Sequence, residues 1–301
     1  MEVFRKRETV LQNIAYMAIM AAINIIFVIM SNLLPVLLFA LVLILPLTRT
    51  IVTIYCKKKY YPIYAVTTLG LCIAVAGGFS IFDALIYVFP SIIVGFLFGI
   101  CVEKNIPAIL ILTGATIVQF GLSFLTFYIL NKMVLGFDIM QNLFILFGLQ
   151  NFPYLDVLLR LFVYLIAQVQ MFFSFLFVKL EIRKLGIFVN LECNKRYWMY
   201  LITFTTFFLS VLSYFFFQNW TLVFIIMPLA IYVYETIQLL LKKKIALYIL
   251  IGLIHILFIF LFAFLYQYTS APNQLIIIVT LTGSMTIIDL MNNYCFVKNT
   301  K

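Results

Sequence analysis

Asp156 and Arg160 stand four residues apart beside an otherwise apolar run, a spacing that sets two side chains on one helical face. Such a pair either neutralises itself and anchors a helix end or presents charge to a ligand. Asp83 interrupts the run GFSIFDALIYVFPSIIVGFLFGIC, and Gln119, Gln168 and Gln170 lie near the middle of two further runs. An ionisable group at membrane depth costs about 2.5 to 3.5 kcal/mol on insertion scales, which makes each one a functional candidate. A buried amide bridges helices or binds a small polar solute. The candidate ligand-binding set is therefore Asp83, Gln119, Asp156, Arg160 and Gln168. Glu235, Asp289 and Arg49 lie close enough to the ends of their runs to reach the interface or pair with lysine. His255, deep in its run, reads as a proton relay or as a neutral hydrogen-bond partner between helices.

Other chemistries lack their residues. No nucleophile stands with a base, no carboxylates pair at a glycosidase-like spacing, and no histidine cluster offers a metal site. The chain is not expected to be an enzyme or to hold a metal or cofactor. Without a G-x-x-x-x-G-K-[ST] loop, any ATP hydrolysis has to come from another chain. The five cysteines show no C-x-x-C spacing and read as packing residues.

The elements that must position these residues are set by composition. Of 301 residues, 66% are hydrophobic and only 10% charged, and the mean hydropathy is +1.18. A soluble domain carries roughly 25% charged residues. A crossing of the bilayer needs about 20 predominantly apolar residues, and about ten such runs follow one another: 14–34, 36–55, 62–76, 78–101, 106–129, 157–178, 198–217, 221–241, 245–266 and 275–291. The expected fold is an all-α, polytopic integral membrane bundle.

The charges orient it. Cytoplasmic loops collect Lys and Arg. With both termini inside, the inner connections hold Arg5, Lys6, Arg7, Lys57 to Lys59, Lys104, Lys179, Arg183, Lys184, Lys195, Arg196, Lys242 to Lys244, Lys298 and Lys301, seventeen of the twenty basic residues. Outer loops keep only Lys132. The net charge of +10 is thus a topology signal scattered over short loops, not a patch for nucleic acid. The basic start followed by a long apolar run lacks a small-residue cleavage site after it, so it reads as a first span rather than a signal peptide.

Two intervals interrupt the runs. Between Leu130 and Asp156, IMQNLFILFGLQNF is apolar yet shorter than a span, and reads as an interfacial or re-entrant segment or as a partly buried loop helix. The stretch from Glu181 to Tyr197 is the longest inner connection, and divides a six-span part (1–190) from a four-span part (191–301). Small residues four apart let backbones approach in lipid. Gly95 with Gly99, and Ala18 with Ala22 in IAYMAIMAAINIIF, mark two such packing faces, whose partners lie within this chain or outside it.

In order along the chain, the basic start with IAYMAIMAAINIIF, YCKKKYYPIYA, GFSIFDALIYVFPSIIVGFLFGICVEKN, KLEIRKLGIF, PLAIYVYETIQLLLKKK and LTGSMTIIDLMNNYCFVKN resemble the YybS-like family of predicted bacterial membrane proteins. The first six spans more distantly resemble the S-components of energy-coupling-factor transporters. That resemblance implies a solute-binding or transport subunit of the bacterial plasma membrane, surrounded by membrane lipids. It also implies a transmembrane coupling subunit with its ATPases, docked on the Ala18 and Ala22 face. The alternative is a non-transporting scaffold in envelope or cell-shape processes.

Overall fold

The computed structural model describes residues 6–34, 37–106, 108–131, 155–184, 197–216 and 245–268, with single positions at 142, 145, 223, 226, 276, 277, 280, 284 and 287. Every regular element among them is helical: α1 Val10–Leu33, α2 Leu38–Tyr55, α3 Tyr61–Asp83, α4 Phe89–Glu103, α5 Ala108–Ile129, α6 Leu155–Lys184, α7 Tyr197–Phe216 and α8 Ile245–Tyr268. A 3-10 turn, Lys58–Tyr60, precedes α3, and a π-helical turn, Ala84–Val88, joins α3 to α4. Among the described residues, four stretches are long and apolar enough to cross a membrane: Val10–Ser31, Ile86–Glu103, Leu110–Ile129 and Leu159–Ile182. The described part of the chain is all-helical, and its long apolar helices mark a membrane protein.

The helices overlay most of the apolar runs, with one departure. The sequence divides the third and fourth runs at residue 77, whereas α3 continues through Gly77 and Gly78 to Asp83. In lipid an unbroken backbone ladder outweighs the weak helix propensity of two glycines. The path nevertheless turns back on itself. The Tyr61 hydroxyl donates to the Ile92 carbonyl at 2.7 Å, although the two residues are 31 apart, and a straight helix would separate them by about 46 Å. The eighth and tenth runs and the interfacial segment lie outside the described residues, apart from the single positions.

Backbone packing divides the chain into two compact units, Met1–Phe152 with Phe162–Cys193, and Pro153–Leu161 with Asn194–Lys301. The first holds the sites of interest. Its N-terminal segment begins with a capping box, in which the Thr9 hydroxyl accepts from the Gln12 backbone N–H and Gln12 accepts in return. The buried Asn13 amide then donates to the Arg7 and Thr9 carbonyls and accepts from the Lys57 N–H at 2.7 Å. Glu103, closing α4, pairs with Lys6 at 2.6 Å and with Lys58 at 2.5 Å. Asn105, at φ 50°, turns the chain toward α5. Ile182 of α6 packs in one core cluster with Tyr55 and Val102. The start of α1, the α2–α3 and α4–α5 turns and the end of α6 thus share one end of the unit, together with their lysines. Cys56 lies there too, and burial pushes its thiol up to about 11, so that it stays a thiol at neutral pH.

The tightest contact is α4 on α2. A Cβ built on Gly95 would stand 2.5 Å from the Arg49 Cβ and 2.9 Å from the Pro46 carbonyl oxygen, and one on Gly99 would overlap the Thr53 side chain. Pro46 sits inside α2, so the Val42 carbonyl loses its backbone donor. Ser174 of α6 replaces that donor at 2.8 Å. The opposite case is Gly114 on α5, where an added Cβ meets nothing within 4 Å.

Gly95→Ala is therefore expected to lower the melting temperature of the detergent-solubilised protein, at a cost of about 1 to 3 kcal/mol from overpacking. Gly114→Ala should leave it unchanged or raise stability by about 0.5 to 1 kcal/mol. Thermal unfolding of the two variants side by side checks the contrast, and equal behaviour would refute the close seam.

Candidate functional site

The π turn, α4, α5 and α6 leave a space between them. Gln119, Ser123 and Thr126 recur along one face of α5, and Val163, Ile166 and Gln170 along one face of α6. Ile86 and Tyr87 of the π turn and Pro90, near the start of α4, close the third side. A π turn carries one residue more per hydrogen-bonded ring than an α turn and is frequent at functional sites. The cavity measures about 170 Å³ and is mostly apolar. A cavity of about 150 Å³ takes a molecule the size of benzene, so this one suits a small solute.

Its polar groups converge from two helices. Gln119, only 3% exposed, donates through Nε2 to the Gln170 Oε1 at 3.3 Å. The Gln119 Oε1 is buried and has no hydrogen-bond partner. The Ser123 hydroxyl is spent on the Gln119 backbone carbonyl at 2.9 Å. Tyr164, nearly fully buried, sets its ring edge-on to Phe120 and stiffens the wall behind the amides. The arrangement sets a hydrogen-bonded amide pair, one oxygen of which lacks a donor, in the wall of an apolar cavity. Hydrogen-bond capture of a neutral, donor-bearing solute is the chemistry it can do.

The five candidate ligand residues do not assemble as a set. Gln119 lines the cavity. Gln168, half-buried, is not among the lining residues, because two positions along α6 rotate it about 200° from Gln170. Gln170, a mid-run amide outside the candidate set, takes its place. Arg160, half-buried on α6, belongs to the second compact unit. Asp83 ends α3 and Asp156 lies in the first turn of α6, but their side chains fall outside the described residues, as do Glu235 and Asp289. His255 is half-buried on α8. Gly95 and Gly99 face α2, whereas Ala18 and Ala22 are exposed on α1.

Arg49 departs most from expectation. It does not reach an interface, since its side chain is fully buried. Gly95 allows α4 to press on its Cβ, and Nη1 turns to the Leu45 carbonyl at 2.8 Å. Sequence reasoning also passed over the link that joins three helices: Asn24 of α1 donates to the Tyr64 hydroxyl at 2.9 Å and accepts from Thr48 of α2 at 2.7 Å. The signal was an asparagine within an apolar run, the kind of residue that bridges spans. Among the described residues, no group of three or more His, Cys, Asp and Glu side chains comes together to hold a metal. Comparison with protein-family models, with curated proteins and with solved structures finds no match.

A buried acceptor left without a donor costs about 1 to 3 kcal/mol. Gln119→Leu removes that acceptor but also the donor to the half-buried Gln170 Oε1, so the melting temperature of the solute-free protein should stay about unchanged. A clear fall in the melting temperature would mean that the amide serves the fold and not a ligand.

Proposed function

We propose that this chain is a multi-pass bacterial plasma-membrane protein of about ten crossings with both ends in the cytoplasm, acting as a solute-binding or transport subunit. The observation that carries the reading is a cavity of about 170 Å³ lined by Gln119, a residue whose buried Oε1 has no hydrogen-bond partner. A protein that only braced its neighbours gains nothing from a buried acceptor without a donor. The solute class is small, neutral and partly apolar, with at least one N–H or O–H to donate.

The orientation is supported by the basic residues that share one end of the first unit, because lysine and arginine accumulate on the cytoplasmic side. The resemblance to YybS-like proteins and to S-components supplies the subunit character. In that reading the exposed Ala18 and Ala22 stripe is where a coupling subunit with ATPases docks. The same stripe would serve a scaffold without transport, and the two uses differ in what the cavity holds.

Native mass spectrometry of the full chain, purified from its own host, separates them. The proposal expects a small molecule bound to the unaltered chain and absent from Gln119→Leu, and loss of a co-purifying membrane subunit when Ala18 and Ala22 are both changed to leucine. An empty cavity in the unaltered chain, with partners still retained through Ala18 and Ala22, would favour the scaffold and contradict transport.

A further inference from the structure

The cavity at Gln119 leaves the most costly polar group of the first unit unexplained. Arg49 is fully buried in α2, and of its three nitrogens only Nη1 has a partner, the Leu45 carbonyl. Nε and Nη2 are buried without any hydrogen bond. Those two nitrogens form the side-on edge of the guanidinium, whose parallel N–H groups match the two oxygens of a carboxylate or phosphate. Arginine keeps its charge inside proteins, and a buried charge persists only when it is paired and hydrogen-bonded.

Among the described residues, the titratable groups close enough to interact electrostatically with Arg49 are Tyr64, Tyr61 and Cys72 of α3. All three are buried, and Tyr64, Thr68 and Cys72 recur every four residues on one face of that helix. The Tyr61 hydroxyl is engaged with the Ile92 carbonyl, and the Tyr64 hydroxyl accepts from Asn24. Thr68, between Tyr64 and Cys72, is fully buried; its oxygen lies within reach of the Tyr64 hydroxyl, and no acceptor takes its own O–H. Among the described residues, no carboxylate is recorded beside Arg49, and Glu103 and Glu181 are held by lysines, Glu103 by Lys6 and Lys58 and Glu181 by Lys184.

We infer that the Arg49 fork and the Thr68 hydroxyl form a second, buried site that takes an oxyanion, a carboxylate or phosphate group lodged between α2 and α3. The anion neutralises the arginine, and its oxygens fill the two guanidinium donors and the hydroxyl donor. The site shares no residue with the Gln119 cavity and does not depend on the solute reading.

Thermal unfolding of the full chain in detergent, in sulfonate buffer, tests it with sodium formate, sodium phosphate and sodium chloride at equal ionic strength. Formate or phosphate should raise the melting temperature by several degrees and saturate, while chloride does not. Arg49→Lys, which keeps the charge but loses the fork, should raise the half-saturating concentration at least tenfold, and Thr68→Val should weaken the response in the same direction. If the site is already filled on purification, the melting temperature is insensitive and the denatured protein releases one equivalent of carboxylate or phosphate. An equal response to chloride, an unchanged response in Arg49→Lys, or insensitivity with no released oxyanion would each overturn the site.

Discussion

The first unit depends on how closely α4 can approach α2. Lipid tails are as apolar as leucine, so helices in a bilayer gain little from hiding apolar surface and rely on packing and hydrogen bonds. Gly95 and Gly99 let the α4 backbone lie against Pro46, Arg49, Thr50 and Thr53. That closeness brings the Thr50 hydroxyl within 3.2 Å of the Gly95 carbonyl and covers Arg49. Pro46 then ties α6 to the same place, because the carbonyl it leaves open on Val42 is answered by Ser174. One seam of small residues thereby sets the positions of three helices.

The polar groups inside this frame fall into two kinds. Asn13, Asn24, Thr48 and Ser174 are buried and satisfied, and they lock segments together. The Gln119 Oε1, the Arg49 Nε and Nη2 and the Thr68 hydroxyl are buried and left open. In a bilayer such groups are more costly than in a water-soluble core, since no solvent stands near to answer them. Departures from local satisfaction gather where proteins bind something. The two open clusters lie on different elements and differ in charge, one neutral and one cationic.

Much of this architecture was legible in the amino-acid order. Apolar runs and scattered lysines report the helices and their basic ends, because length and charge are properties of single segments. Gln119 was visible as an amide within such a run. What stayed hidden depends on pairs of segments. Whether Gln168 or Gln170 faces α5 turns on the rotation of α6, which a uniformly apolar helix does not disclose. The fate of Arg49 turns on Gly95, 46 residues away. The turn Ala84–Val88 and the passage of α3 through Gly77 and Gly78 reflect a local choice between helix types that propensity does not resolve. Asp83 and Asp156 stood out in the sequence, yet their side chains lie outside the described residues.

The proposed orientation places the lysine-rich end of the first unit in the cytoplasm and the far end of α5 outside. Single cysteines at Lys59→Cys and Tyr128→Cys, both exposed positions, in a cysteine-free background and probed on intact cells with a membrane-impermeant maleimide, test it directly. Labelling of Tyr128→Cys alone is the predicted result, with Lys59→Cys reacting only after the cells are opened. Labelling of Lys59→Cys from outside would contradict the claim.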